Sequence, residues 1–284
     1  MSERPTLTVA AVQMCSGADP ARNLREIAHW TAQAAQAGAQ LVALPEMCTV
    51  LERRGQALLD LADDPIHGTQ LQALQGIAQA AGVMLLVGSM AVRVQADRCA
   101  NRSVLIDAHG QVRAQYDKIH LFDADLGPQQ RYLESARIVP GTQAVCADLG
   151  DWRLGLSVCY DLRFAALYRD LALAGSDVIA VPSAFTVPTG QAHWSVLLRA
   201  RAIETGAFIL APAQHGQHED GRQTWGHSLI VGPLGEVLAE RPADPGVLLA
   251  QLPLAEVARA RQQLPSLQHA RAFASAGSQT TQTL

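Results

Sequence analysis

The sequence predicts an α/β fold, and three observations carry that prediction. Short apolar runs alternate with longer amphipathic segments in the first part of the chain. Three apolar runs, LVALPE (41–46), VIAVPS (178–183) and FILAPAQ (208–214), each stop at a proline. Pairs of strand-like runs joined by turn signals interrupt the alternation in the middle.

Taken in order, TLTVAAVQM (6–14) reads as a strand and an amphipathic stretch over 20–38 as a helix. LVAL (41–44) is a second strand, 68–82 a second helix and VMLLVGSM (83–90) a third strand. The rhythm is βαβα. NRSVLIDAHGQVRAQYDK (101–118) and AVCADLGDWRLGLSV (144–158) then place His109-Gly110 and Gly150-Asp151 between apolar runs, so hairpins are mixed into the pattern. GLSV (155–158) ends at Cys159, and FAALYRDLALAG (164–175) continues as a helix. Proline cannot continue a ladder, so each run that meets one ends there. Near-continuous apolar strands of this kind are covered on both faces, and ligands bind outside their carboxyl ends. Glu46, Ser183 and Gln214 therefore share a rim, with Cys159 on the same edge as Glu46.

The chain has 284 residues, 49% of them hydrophobic, enough for a sizeable core. No Ser/Gly/Pro-rich linker divides it. The expected organisation is one domain over 1–273 and a flexible Ser/Thr/Gln tail over 274–284. The net charge is −4 with no long run of one sign, which speaks against nucleic acid or a membrane surface as partner and for a small molecule. Five cysteines, with no CxxC pair and no zinc spacing, fit a reducing compartment. MSERPTLTVA does not read as a signal peptide, and the longest apolar stretch, AGVMLLVGSMAV (81–92), is short of the roughly 20 residues a membrane helix needs. The expected location is cytoplasmic.

GLSVCYDLRF (155–164) raises the question of chemistry. A free cysteine is usually only a small buried hydrophobe. A thiol at a strand-to-helix turn can instead be activated by a helix terminus, a cation and a base, because the thiolate is what attacks. Glu46 follows a strand and a proline, where shielding from water is expected to raise its pKa and suit it to take a proton. Lys118, in YDKIHLFD (116–123), can stabilise negative charge on a substrate oxygen.

Three segments, LPE (44–46), YDKIHLFD (116–123) and VCYDLRF (158–164), resemble the signature segments of the nitrilase, or carbon–nitrogen hydrolase, superfamily, with 72 and 41 residues between Glu46, Lys118 and Cys159. The resemblance runs from VAAVQM to LPSLQHAR (264–271). It implies a four-layer αββα sandwich whose monomers join through helices as a homodimer or higher oligomer. GQAHWSVLLRARAIET (190–205) is the interface candidate. It also implies a Glu46–Lys118–Cys159 triad and a second active-site glutamate, Glu134, in YLESARIVPG (132–141). In that mechanism Glu46 takes the thiol proton and Cys159 attacks an amide carbonyl. Lys118 and the backbone N–H of Tyr160 hold the oxyanion, Glu134 positions Lys118 or the substrate, and water hydrolyses the thioester. No metal or organic cofactor is required.

PSAFTVPTGQAHWSVLLRARAIET (182–205) and APAQHGQHEDGRQTWGHSLIVGPLG (211–235) are similar to the amidase branch, most of all to the deaminated glutathione amidases. The implied substrate is a primary amide that also carries a carboxylate, deaminated glutathione foremost, giving ammonia and an acid. Arg163 offers a guanidinium fork near the nucleophile for that carboxylate, unless it pairs with Asp161 or a dimer partner. Thr186 and His193 are further substrate-contact candidates. Arg201 and Glu204, three apart on a helix, suit an ordinary ion pair. His215, His218 and His227 have no spacing that supports a metal site. The alternatives are an ω-amidase of 2-oxoglutaramate-like amides and a catalytically silent member acting as a binding protein. An α/β-hydrolase would want glycine where Asp161 stands, two residues after Cys159.

Overall fold

The computed structural model describes residues 5–127 and 131–273; the tail expected over 274–284 lies outside them. Three strands, β1 (Thr6–Gln13), β2 (Leu41–Ala43) and β3 (Met84–Gln95), run parallel at the centre of a six-stranded sheet. The antiparallel strands β4 (Arg98–Ile106) and β5 (Val112–Asp117) extend it beyond β3, and β16 (Gly246–Pro253) pairs antiparallel with β1 along its whole length. A short ribbon of β6 (Asp123–Asp125) and β7 (Arg131–Leu133) follows.

A second six-stranded sheet repeats the plan. Its hairpin of β8 (Val145–Leu149) and β9 (Trp152–Leu156) leads to β10 (Val178–Ala180) and β11 (Phe208–Ala211), with β9, β10 and β11 parallel. After the ribbon of β12 (His215–Gln217) and β13 (Gln223–Trp225), β14 (Ser228–Val231) and β15 (Val237–Arg241) add antiparallel strands beyond β11. The turn signals at Gly110 and Gly150 close the two expected hairpins, both with positive φ.

Helices make the parallel crossovers. In the first sheet these are α1 (Pro20–Gln36), α2 (Gly55–Leu61) and α3 (Thr69–Ala81), with α1 against α3; in the second they are α4 (Ala165–Leu173) and α5 (Val187–Thr205), packed on each other. A last helix, α6 (Leu254–Gln263), follows β16. The start of α1 is set by Asp19, whose carboxylate accepts from the Ala21 and Arg22 amides with Pro20 at the first helical position. The end of α3 is set by Gly82 in the left-handed region.

Alternation along the strands assigns the layers. Val9 and Ala11 of β1 join the core shared with the second sheet, while Ala10 and Val12 join the core beneath α1 and α3. Both faces are apolar, so both must be covered. The layers are helix, sheet, sheet, helix, the αββα sandwich implied above. No helix among the described residues is long and apolar enough to cross a membrane.

Candidate active site

The proline stops bring the site together. Beyond β2, Leu44 still donates to the Leu86 carbonyl, Pro45 ends the ladder, and Glu46 turns into the interior with 5% of its surface exposed. On the other sheet the Cys159 amide donates to the Pro182 carbonyl, and the Ala184 amide donates to Glu46 Oε2 at 2.9 Å. Gln214 Nε2 donates to the Glu46 carbonyl at 3.0 Å. The segments after β2, β10 and β11 thus meet around one carboxylate.

Cys159 begins a 3-10 turn over Cys159–Arg163 with φ of +49°, a left-handed conformation uncommon for a residue other than glycine. Such backbone costs on the order of 1–3 kcal/mol and persists only where the surroundings fix it. Asp161, wholly buried, does much of the fixing. Its carboxylate accepts from the Val158 amide (2.9 Å), the Tyr116 hydroxyl (2.7 Å) and the His120 amide (3.0 Å), and pairs with His120 Nδ1 (2.7 Å). The His120 ring stacks on Phe164. The Lys118 segment is therefore docked on the Cys159 segment from both sides of the lysine. The Tyr160 amide, in the first turn of the 3-10 helix, donates to no backbone carbonyl among the described residues outside that helix.

Lys118 is 2% exposed, and its ammonium lies 2.9 Å from Glu46 Oε1 and 2.8 Å from Glu134 Oε2. Asn101, on β4, ties the carboxylates together, with Nδ2 donating to Glu46 Oε1 at 3.0 Å and to Glu134 Oε1 at 3.1 Å. Glu134 also accepts from the Phe122 amide at 2.7 Å. No motif marked Asn101; its one trace in the sequence is a polar residue at the start of the apolar run of β4. Asp161 was legible as the residue that stands where a nucleophile elbow wants glycine and as a possible partner of Arg163, not as the anchor of the Lys118 segment.

The electrostatics correct one expectation. Burial alone would raise the Glu46 carboxyl, as its place after a strand suggests. The charge of Lys118 and hydrogen bonds from Lys118, Cys159 and Asn101 outweigh burial, and the group is held below its usual range. Burial opposes the charge on Lys118 too, but Glu134 and Glu46 lift its pKa well above the ordinary value. The Cys159 thiol is pushed well up, first by burial and then by Glu46, against the opposing charge of Lys118. The resting set is an ionised glutamate, an ammonium and a neutral thiol, rather than a preformed thiolate.

Cys159, Glu46, Lys118, Glu134 and Asn101 line a cavity of about 320 Å³, within the usual range for small-molecule sites. Thr186 lines it as well. Arg163 and His193 do not. The Arg163 guanidinium faces His193 Nδ1 at 3.3 Å and lies over the rings of Tyr160 and Phe185. Arg163 does not pair with Asp161 either, because Tyr116, His120 and Val158 fill that carboxylate. Arg201 and Glu204 form the ordinary pair at 2.9 Å, with Arg201 Nε also donating to the Leu162 carbonyl. His218 is held between the Ser16 carbonyl and the Thr224 hydroxyl, and His227 pairs with Glu240.

Residues 8–262 match the family model of the carbon-nitrogen hydrolases. The deaminated glutathione amidase of Yersinia enterocolitica is 40% identical over 266 residues, 93% of this chain and 92% of that one. The crystal structure of the C. elegans NitFhit protein superposes with a TM-score of 0.88 at 32% identity; the match covers 95% of this chain and 66% of that longer one. An amidase mutant from Nesterenkonia sp. AN1, with the acetamide moiety of fluoroacetamide added covalently at its active site cysteine, has a TM-score of 0.78 and 30% identity over 93% of this chain and 94% of its own.

Proposed function

The chain belongs to the carbon–nitrogen hydrolase family, and from that premise we propose that it hydrolyses the amide of deaminated glutathione with Cys159 as nucleophile, Glu46 as general base and acid, and Lys118 as oxyanion partner. The observation that carries the reading is the Lys118 ammonium bridging Glu46 and Glu134, with Cys159 lining the same cavity as all three. The covalent adduct on the cysteine of the Nesterenkonia amidase supports the nucleophile, and the name of the Yersinia relative supports the substrate.

The thiol proton passes to Glu46 as sulfur bonds to the amide carbon, because a neutral thiol beside an ionised carboxylate is the resting state. The carbonyl π electrons move to oxygen, where the Lys118 ammonium and the Tyr160 N–H meet the charge. Collapse expels the amine, which takes the proton from Glu46, and leaves a thioester. Water then attacks the thioester, giving its proton to Glu46, and the thiolate leaves and is reprotonated. Glu134 and Asn101 position Lys118 and Glu46. The carbon–nitrogen bonds of deaminated glutathione are secondary peptide amides, so this substrate releases cysteinylglycine rather than the ammonia expected above; ammonia marks the ω-amide alternative.

The reading extends to a homodimer formed through α4 and α5, where Leu173, Val196 and Ile203 are 58%, 68% and 49% exposed. The proposed compartment is the cytoplasm, and the five free cysteines suit it. One domain over 1–273 is proposed with it. The assay follows 2-oxoglutarate and cysteinylglycine from deaminated glutathione, and ammonia from 2-oxoglutaramate. A kcat/KM preference of about tenfold, roughly 1.4 kcal/mol, for deaminated glutathione is expected; the same preference for the shorter ω-amide overturns the substrate, and no turnover of either favours a silent member. Sedimentation as a monomer at micromolar concentration discards the dimer.

A further inference from the structure

The guanidinium expected beside the substrate, Arg163, is not among the residues that line the cavity, yet four others are. Arg53, Arg131, Arg137 and Arg222 stand there with Lys118, against the carboxylates of Glu46, Glu52 and Glu134. Five cations face three anions, in a chain whose net charge is −4. The anions are also engaged already: Lys118 lies between Glu46 and Glu134, and Glu52 accepts from Arg54 Nε at 2.9 Å. Asp220 pairs with Arg222, so the uncompensated positive charge rests on Arg53, Arg131 and Arg137.

Arg222 is the best fixed of the four arginines. It sits in the turn joining β12 and β13, where its Nη2 is 2.9 Å from Asp220 Oδ2. The Asp220 side chain is 1% exposed and that of Arg222 20%. The turn is itself held by the His218 amide on the Arg222 carbonyl and by the His218 ring on Ser16 and Thr224. Arg222 Nε is buried with no acceptor among the described residues. A buried donor left without an acceptor costs roughly 1–3 kcal/mol, and a carboxylate is the acceptor a guanidinium fork fits best.

We propose that the arginine-lined part of the cavity binds a substrate carboxylate remote from the scissile amide, with Arg222 as the principal specificity residue and Arg53 adding charge at the entrance. The inference rests on the amidase reading and deepens it by assigning the substrate's free carboxylate to named residues.

The test reads binding without turnover. Glutarate, a dicarboxylate with no amide, is titrated calorimetrically into the Cys159→Ala protein, with dimethyl glutarate as the uncharged control. Glutarate is expected to bind and the diester not to. Arg222→Gln in the same background should weaken glutarate tenfold or more, and Arg53→Gln by less. Undiminished affinity in Arg222→Gln, or no glutarate binding at millimolar concentration, overturns the proposal. If Arg222→Gln does not fold, Arg222→Lys replaces it, keeping the charge and losing the fork; a loss of threefold or more is expected and an unchanged affinity overturns the proposal. A failure of the amidase reading appears elsewhere, as wild-type protein that turns over no amide.

Discussion

The hydroxyl of Tyr116 donates to Asp161 Oδ2 at 2.7 Å, and this bond ties the strand that delivers Lys118 to the turn that carries Cys159. Both partners are buried, Tyr116 at 1% exposed and Asp161 at 0%. Burial, then the charge of Asp161, pushes the Tyr116 hydroxyl far above its ordinary pKa, so it stays a donor at any pH the protein meets.

Removing that carboxylate strands four donors at once, the Val158 and His120 amides, the Tyr116 hydroxyl and His120 Nδ1. Asp161→Ala is therefore expected to cost about 3 kcal/mol of stability, the scale for breaking a buried charged network, and to lower kcat about tenfold or more as the Lys118 segment loosens. Urea unfolding monitored by circular dichroism reads the first effect as a lower midpoint at unchanged slope. A midpoint equal to that of wild type would show that the bond is incidental.

The site substitutions separate chemistry from positioning. Cys159→Ala is expected to abolish turnover, while Glu46→Gln and Lys118→Ala each cost about a hundredfold or more in kcat. Glu134→Gln is expected to lower kcat with little change in KM, because both its oxygens engage the Lys118 ammonium. Intact-mass spectrometry with a slow amide should find an acyl group on wild type and none on Cys159→Ala. Turnover by Cys159→Ala excludes the thioester route.

What could be read from the chain divides along physical lines. Local signals were legible: the proline stops, the turns at Gly110 and Gly150, and helices near their observed limits. The candidates Glu46, Lys118 and Cys159 lie in short segments with their own pattern, and so could be named in advance. Whatever depends on distant partners was not. The edge pairing of β1 with β16 joins residues at opposite ends of the chain. The direction of the Glu46 shift depends on Lys118, 72 residues away, so burial by itself suggested the wrong sign. The partners of Arg163 were not legible either, since its orientation is set by His193 on α5 and by the rings of Tyr160 and Phe185. Asn101 left no pattern, since a single amide in a strand becomes informative only when two carboxylates converge on it.

Gly88 tests how tightly Glu46 is placed. A Cβ there would lie 1.9 Å from the Leu44 carbonyl oxygen and 2.4 Å from that of Pro45, both backbone atoms that cannot step aside cheaply. Gly88→Ala should destabilise the protein by about 1–3 kcal/mol, as overpacking does, and displace the turn that carries Glu46. Thermal unfolding and kcat should fall together. A stable variant with reduced kcat would place the strain in the site alone, and one unchanged in both would refute the close approach.

The protonation pattern makes its own demands on pH. The folded-state pKa of Glu46 lies below its ordinary 4.5, so its contribution to stability is present above pH 4.5 and is lost as pH falls through the folded value. The acid limb of kcat/KM is accordingly expected below pH 4.5, and an acid limb centred near pH 6 would contradict an ionised base held by Lys118. The alkaline side tests the thiol. The folded-state pKa of Cys159 lies well above its ordinary 9.0, so above pH 9.0 the folded protein keeps a proton that the unfolded chain gives up. Stability from this group is complete below that pH and falls as pH rises, by up to about 1.4 kcal/mol per pH unit. Cys159→Ala lacks the term. Between pH 9 and 10, below the ordinary 10.5 at which an unfolded lysine is half discharged, its unfolding free energy should decline more gently than that of wild type by up to that amount. Parallel slopes for the two proteins in urea titrations across this interval would mean that folding leaves the Cys159 pKa unshifted, and a gentler decline in wild type than in Cys159→Ala would mean that Cys159 is already a thiolate in the folded enzyme, with Lys118 rather than Glu46 dominating its charge state.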